Sequence, residues 1–185
     1  MRVLESERLI IKPMEVEDLD YQMNLRWDEK ITDYIIHDPI SMKDQKQWYE
    51  GLKKTDVSCS IFFKDPDDSS ILTLIGTVGL FNTNYRHQRA VIRARIDPGF
   101  QRKGIATEAM KMMMEYGFNT LNLNKITADS FIENEAIINL ITKMGFKKEG
   151  ILEKHFFHRG KFRDAVQLGY LRDDFNKHYG IEFDK

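Results

Sequence analysis

The clearest chemical capacity in this 185-residue chain lies in Gln101-Arg102-Lys103-Gly104-Ile105-Ala106-Thr107. Two cations and a glycine stand directly before a long helical pattern. The first turn of a helix carries backbone N–H groups without partners and forms the positive end of the helix dipole. Phosphate groups are stabilised at such a position. Gly104 lets the backbone approach an anion closely, and Arg102 and Lys103 add charge. The same residues would equally make a solvated basic turn ahead of an ordinary helix.

Other groups offer different chemistry. Trp27, Asp28, Glu29, Asp33, Tyr34, His37 and Asp38 form an acidic and aromatic segment. Carboxylates beside aromatic faces suit a cationic amine, and Trp27, Glu29, Asp33 and Tyr34 are its candidate contacts. They could instead cap helices and solvate a loop. Arg93 and Arg95 share one face of a strand. They could line a cleft for an anionic substrate or snorkel to the sheet edge. His155 and His158 have metal-like spacing but no clear third ligand, so no metal is expected. Cys59 is the only cysteine and lies in a strand-like run, which favours a small core residue over a nucleophile.

These residues need elements to position them. The first strand runs over Arg8–Met14, and Glu15–Trp27 is helical, with Val16, Leu19, Met23 and Trp27 on one face. Ser41-Met42-Lys43-Asp44 resembles a capping box and opens a helix to about Leu52. Strands follow at Ser58–Phe63, Ile71–Phe81 and Arg89–Ile96, the last two as an antiparallel pair. Gly104–Thr120 is a helix with Ile105, Ala109, Met112, Met113 and Tyr116 buried. Lys125–Ser130 is a strand. Glu133–Met144 is a helix with Ile137, Leu140, Ile141 and Met144 apolar, and Gly145 suits its end. Phe146–Lys154 and Lys161–Arg172 close the pattern, and the tail after Asp173 is partly helical. This alternation implies an α/β (α+β) fold, with a mixed sheet and helices on its faces, built as one domain over 1–185.

Composition narrows the function classes. A formal net charge of −1 gives no reason to expect nucleic acid as a partner. A lone cysteine points to a reducing compartment. No apolar run is long enough to span a bilayer, and the N-terminus does not look like a signal peptide. A cytoplasmic protein with no membrane partner is expected. A homodimer is compatible with this sequence, although no interface signal stands out.

Three motifs in order carry a family resemblance. Gln101–Ala106 resembles the pyrophosphate loop of the GNAT superfamily of acetyl-CoA-dependent N-acetyltransferases. Asn134, the helix after it, Lys143-Met144-Gly145-Phe146 and Glu149-Gly150 are similar to that family's second cofactor helix. Gly160-Lys161-Phe162-Arg163-Asp164 is similar to the closing hairpin of the branch with ribosomal-protein, spermidine and amino-sugar N-acetyltransferases. Glu7-Arg8-Leu9 and Arg26-Trp27 are similar to that branch too. The resemblance runs from about residue 7 to 175. It implies a GNAT fold: a mixed, mostly antiparallel seven-stranded sheet flanked by about four helices.

The resemblance also implies roles. Gln101, Arg102, Lys103, Gly104, Ile105, Ala106 and Thr107 would hold the pyrophosphate of acetyl-CoA. Ala94, Arg95 and Ile96 would pair with its pantetheine arm, and a backbone N–H there would polarise the thioester carbonyl. Asn134 would hydrogen-bond the pantetheine side. Lys143 could meet a phosphate or be an ordinary exposed lysine. The acetyl group would pass directly to a primary amine of a polyamine, a protein N-terminus or an amino sugar. A non-catalytic acetyl-CoA-binding regulatory module is the alternative.

Acetyl transfer needs a neutral amine, yet a free alkyl amine has a pKa near ~10. Asp129, five residues before Asn134, is the first candidate to take the proton, and Glu149 the second. Asp129 could instead be a solvated strand-end residue, and Glu149 could pair with Arg163 or with a lysine across the hairpin. Asp164 could bind substrate or serve as a structural partner of a turn or strand. The chain departs from the family twice. Val91 stands where some members have Glu, and Ile141 where the spermidine enzymes have the Tyr that protonates the thiolate.

Overall fold

The computed structural model describes residues 3–28 and 41–180. One sheet of eight strands runs through it in the order β1-β2-β3-β4-β5-β6-β8-β7. The strands are β1 (Leu4–Glu5), β2 (Leu9–Pro13), β3 (Val57–Lys64), β4 (Leu72–Asn84), β5 (Arg89–Ile96), β6 (Lys125–Phe131), β7 (Lys147–His158) and β8 (Lys161–Leu171). The described residues hold five α-helices: α1 (Leu19–Trp27), α2 (Met42–Glu50), α3 (Ile105–Asn119), α4 (Glu135–Lys143) and α5 (Arg172–Tyr179).

The mixed sheet is of the expected class, with one strand more than the seven expected and one helix more than four. Strand β1 has only two residues, too few for any alternation to register in a sequence. The fifth helix, α5, buries only Phe175, so its apolar stripe is a single residue.

Local signals explain most boundaries. Ser41 Oγ accepts from the Asp44 N–H at 3.2 Å, and the Asp44 carboxylate accepts from the Ser41 N–H at 2.9 Å, which fixes the start of α2. Along α3, Ile105, Ala109, Met110, Met113, Met114 and Phe118 are buried against the sheet, while Met112 and Tyr116 pack at the edge of that core. Full burial of each large side chain contributes about 1.5–3 kcal/mol. In α4 the buried face is Ile138 and Ile141, continued by Met144 at its C-cap, and Ile137 points outward. The first helix departs from its expected face. Leu19 and Met23 are buried, but Val16 and Trp27 are exposed, Trp27 by 61%. Residues Val16–Asp18 form a 3-10 turn, whose tighter winding shifts the phase of α1 behind it.

One feature of the sheet shapes the site. β5 and β6 are parallel and pair only where Arg89–Val91 meets Lys125–Thr127. β4 follows β5 as far as Ile96, and β8 follows β6 as far as Phe131. The two strands therefore part after Val91 and Thr127 and leave a wedge. It opens toward their C-terminal ends, where the chain enters α3 and α4.

Candidate active site

The loop from β5 to α3 is held in place from several sides. Asp97 Oδ1 accepts from the Gly99 N–H at 2.8 Å, and its Oδ2 accepts from the Tyr21 hydroxyl at 2.8 Å, tying the loop to α1. Burial first, and then the bond to Asp97, push the Tyr21 hydroxyl well above the ordinary range, so it stays protonated. Gln101 Nε2 donates to the Ile96 carbonyl at 3.0 Å. Lys103 Nζ turns back to the Gly99 carbonyl at 3.0 Å and lies over the Phe100 ring. Arg102 and Gly104 both have left-handed backbones, with φ of 60° and 76°. Gly104 is the N-cap of α3, and no side chain caps that helix. The N–H groups of its first turn are therefore available to an anion.

Each loop residue contributes differently. Ile105 buries its side chain in the core, so only its backbone can serve a ligand. Ala106 and Thr107 are partly exposed on the first turn. Gln101 spends its amide on the loop itself, and Arg102 extends into solvent. A Cβ built on Gly104 would have Arg8 Nη2 as its nearest atom, at 3.8 Å.

The wedge exposes a strand edge. The Asp97 N–H donates to the Ile75 carbonyl of β4 at 2.8 Å. Backbone groups along a strand alternate in direction, so Arg93 and Arg95 face β4, while Ile92, Ala94 and Ile96 face the wedge. The contacts of Ile96 O with Gln101 and of Ala90 O with Thr127 Oγ1 fit that phase. Ala94 and Ile96 thus turn their backbones into the gap. Arg95, expected beside them, turns its backbone away.

α4 starts across the gap. Asn134 Oδ1 caps this helix by accepting from the Ile137 N–H at 3.3 Å, which leaves the amide NH2 of Asn134 as a donor. Lys143 is exposed at the far end of α4, about 13 Å along the axis from the wedge mouth. Ile141 is buried in the core and has no proton to give.

Register places the charged groups on the opposite face of the sheet. Val91 and Thr127 are neighbours on one face, so Arg93 and Asp129, each two residues further, flank the wedge on that same face. Arg95 lies beyond Arg93 on the α1 side. Burial first, and then the charge of Arg26, lower its pKa to about 10. Asp129 is exposed opposite Gln167. Glu149 is less available, because it bonds to Lys125 Nζ at 2.7 Å and its carboxylate lies over Gly169. Its partner is thus a lysine of β6, and Arg163 pairs with Glu133 instead, at 3.9 Å.

Asp164 has a structural task. Between Leu152 and Phe156 strand β7 bulges away from β8, and Asp164 Oδ1 accepts from the Lys154 N–H at 2.8 Å inside that bulge. Cys59 is buried in β3, and burial pushes its thiol up to about 12, so it is no nucleophile near neutral pH. His155 meets Phe156 edge-on, and His158 packs at a tilt against Phe131. No group of three or more metal-binding side chains occurs among the described residues. No helix among them is long and apolar enough to cross a membrane. Of the expected acceptor contacts, Trp27 is exposed at the end of α1, and Glu29, Asp33 and Tyr34 lie outside the described residues.

Two contributors were not singled out from the sequence. Tyr21 and Arg8 both grip the loop, and both come from segments distant in the chain. Arg8 sits in the Glu7-Arg8-Leu9 motif, which drew notice only as a resemblance.

Comparison with known proteins agrees with this geometry. The Acetyltransferase (GNAT) domain family matches residues 8–147. The spermidine N(1)-acetyltransferase of Escherichia coli K12 is 33% identical over 158 residues, covering 85% of this chain and 83% of that protein. The uncharacterized N-acetyltransferase p20 of Bacillus licheniformis is 30% identical, covering 95% of this chain and 99% of that one. The crystal structure of spermidine N-acetyltransferase from Vibrio cholerae with CoA and spermine superposes with a TM-score of 0.82 at 27% identity, over 92% of this chain and 99% of that one.

Proposed function

The chain belongs to the GNAT acetyltransferase family and is an acyltransferase, and on that premise we propose that it moves an acetyl group from acetyl-CoA to a primary amine of a polyamine. The observation that carries the reading is a wedge that opens onto the starts of two helices, one of them uncapped. These residues fit such a donor. The first turn of α3, with Arg102 beside it, would hold the pyrophosphate, and the backbones of Ala94 and Ile96 with the Asn134 amide would hold the pantetheine amides. When bound, acetyl-CoA supplies an activated acyl carbon. The Ala94 N–H, fixed by its strand, is then a preset donor for negative charge on the acyl oxygen.

The acceptor amine must lose a proton. Asp129 is the group we assign to that step, because it is exposed beside the wedge while Glu149 is tied to Lys125. Ile141 cannot protonate the leaving thiolate, so solvent at the wedge mouth does so or the thiolate, with a pKa near ~8.5, leaves as it is. Transfer is direct, since the buried Cys59 cannot carry the acyl group.

The names of the relatives support a polyamine acceptor. An amino sugar nucleotide is the second reading, favoured by the closeness of the cations Arg26 and Arg95, which suit an anionic acceptor. Calorimetric titration with acetyl-CoA, followed by thiol release with spermidine, an alanyl peptide and an amino sugar nucleotide, decides between them. Turnover fastest with spermidine is the expected result. Turnover with the amino sugar nucleotide alone would replace the polyamine assignment. One Vibrio cholerae neighbour is described as dodecameric, and we extend the proposal to self-association of this chain, measurable by light scattering.

A further inference from the structure

The short hairpin at the start of the chain reaches the anion loop. β1 and β2 pair through Leu4 with Ile11 and Glu5 with Ile10, which places Glu7 and Arg8 at the turn. Ser6 closes that turn, since its N–H donates to the Leu9 carbonyl and its Oγ accepts from the Leu9 N–H, both at 2.9 Å. Lys64 Nζ holds the turn to β3 by donating to the Ser6 carbonyl at 2.8 Å and to Glu5 Oε1 at 2.6 Å. On the other side Arg8 Nη1 donates to the Lys103 carbonyl at 3.1 Å. Its Nε donates to Glu108 Oε2 at 3.0 Å, and Nη2 bonds to the same oxygen. Ser6 Oγ donates to Glu108 Oε1 at 2.6 Å.

The Lys103 carbonyl lies between the two left-handed residues, Arg102 and Gly104. A left-handed backbone at a residue with a side chain persists only where its surroundings impose it. Glu108 poses an electrostatic problem at the same place. Its carboxylate stands in the first turn of α3, where it favours the helix dipole but repels a bound phosphate. The Arg8 guanidinium neutralises it and draws it toward the hairpin.

We infer that Arg8 is a positioning residue for the donor site: with Glu108 it latches the anion loop to the N-terminal hairpin, fixing the loop backbone and masking a carboxylate that would repel the pyrophosphate. This rests on the acetyl-CoA reading under Proposed function. Lysine at position 8 keeps the charge but cannot reach both Glu108 and the Lys103 carbonyl in a planar fork.

The test is acetyl-CoA titration and steady-state kinetics on wild type, Arg8→Ala, Arg8→Lys, Glu108→Gln and Arg8→Ala/Glu108→Gln, with thermal melts to verify folding. Arg8→Ala is expected to raise the KM for acetyl-CoA roughly tenfold, with kcat and the acceptor KM changed little. Arg8→Lys recovers only a small part. The double variant binds no more weakly than Arg8→Ala, because both changes remove one shared network. If Arg8→Ala does not fold, Arg8→Lys still reports the KM shift. Wild-type affinity in folded Arg8→Ala overturns the latch, as does full recovery by lysine or a multiplied loss in the double variant. Absence of acetyl-CoA binding by the wild type would instead remove the donor reading itself, and the latch with it.

Discussion

The proposed donor side and the proposed acceptor side of the wedge are built in opposite ways. On the proposed donor side several polar groups of residues 97–104 are paired: Asp97 with Tyr21 and Gly99, Gln101 with Ile96, Lys103 with Gly99, and the Lys103 carbonyl with Arg8. What remains open is a row of helix N–H groups and one strand edge. On the proposed acceptor side Asp129 is exposed and Trp27 stands in solvent. A constant ligand can be met by a preformed cradle, and preforming it lowers the ordering cost of binding. A variable acceptor is met by groups that still have bonding capacity.

This contrast can be broken most forcefully at Asp129. Asp129→Asn is expected to lower kcat by about 10²-fold while acetyl-CoA affinity in calorimetry stays unchanged. A kcat near the wild-type value would hand the proton to solvent and leave the acceptor side without a catalytic carboxylate. Gly104→Val tests the opposite side. A β-branched residue at φ 76° is strained by about 1–3 kcal/mol, though its Cβ itself has space. Acetyl-CoA affinity should fall roughly 30-fold, with the acceptor KM unaffected, and unchanged affinity would mean that the loop is only a basic turn.

Smaller effects sharpen the comparison. Asp164→Ala removes the acceptor of the Lys154 N–H and should cost about 1 kcal/mol, or ~2–4 °C in Tm. A rise in the acceptor KM without a change for acetyl-CoA would assign the bulge to the acceptor side. The smallest effect concerns the core that both sides share. The Cys59 thiol titrates at about 12 when folded, above its unfolded value. Its stabilising contribution is complete below about pH 8.5 and is lost as the pH climbs toward the folded value, because the unfolded chain then ionises first. Thermal melts of wild type should therefore decline more steeply above about pH 9 than those of Cys59→Ala. Equal slopes would show that burial does not perturb this thiol.

Legibility followed the range of the interactions involved. Ser41 with Asp44 and Gly104 before Ile105 lie within a few residues of each other, and each is visible as a pattern of residue types. The apolar stripe of α3 was legible for the same reason, since one helix face records its burial in sequence spacing. The buried face of α1 departs from the face its spacing predicts, because the 3-10 turn ahead of it shifts the phase.

The sequence by itself determined the order of the elements from β2 onward, the mixed sheet, the glycine-containing loop before α3 and the family motifs, because those depend on local geometry and on residues close together in the chain. Tertiary structure alone decided which backbone atoms of β5 face the wedge, that Glu149 meets Lys125, and that Tyr21 and Arg8 hold a loop 76 and 95 residues away. These depend on strand register and on how far β5 and β6 diverge. Both are set by the packing of the whole sheet, so no single stretch of the chain carries them.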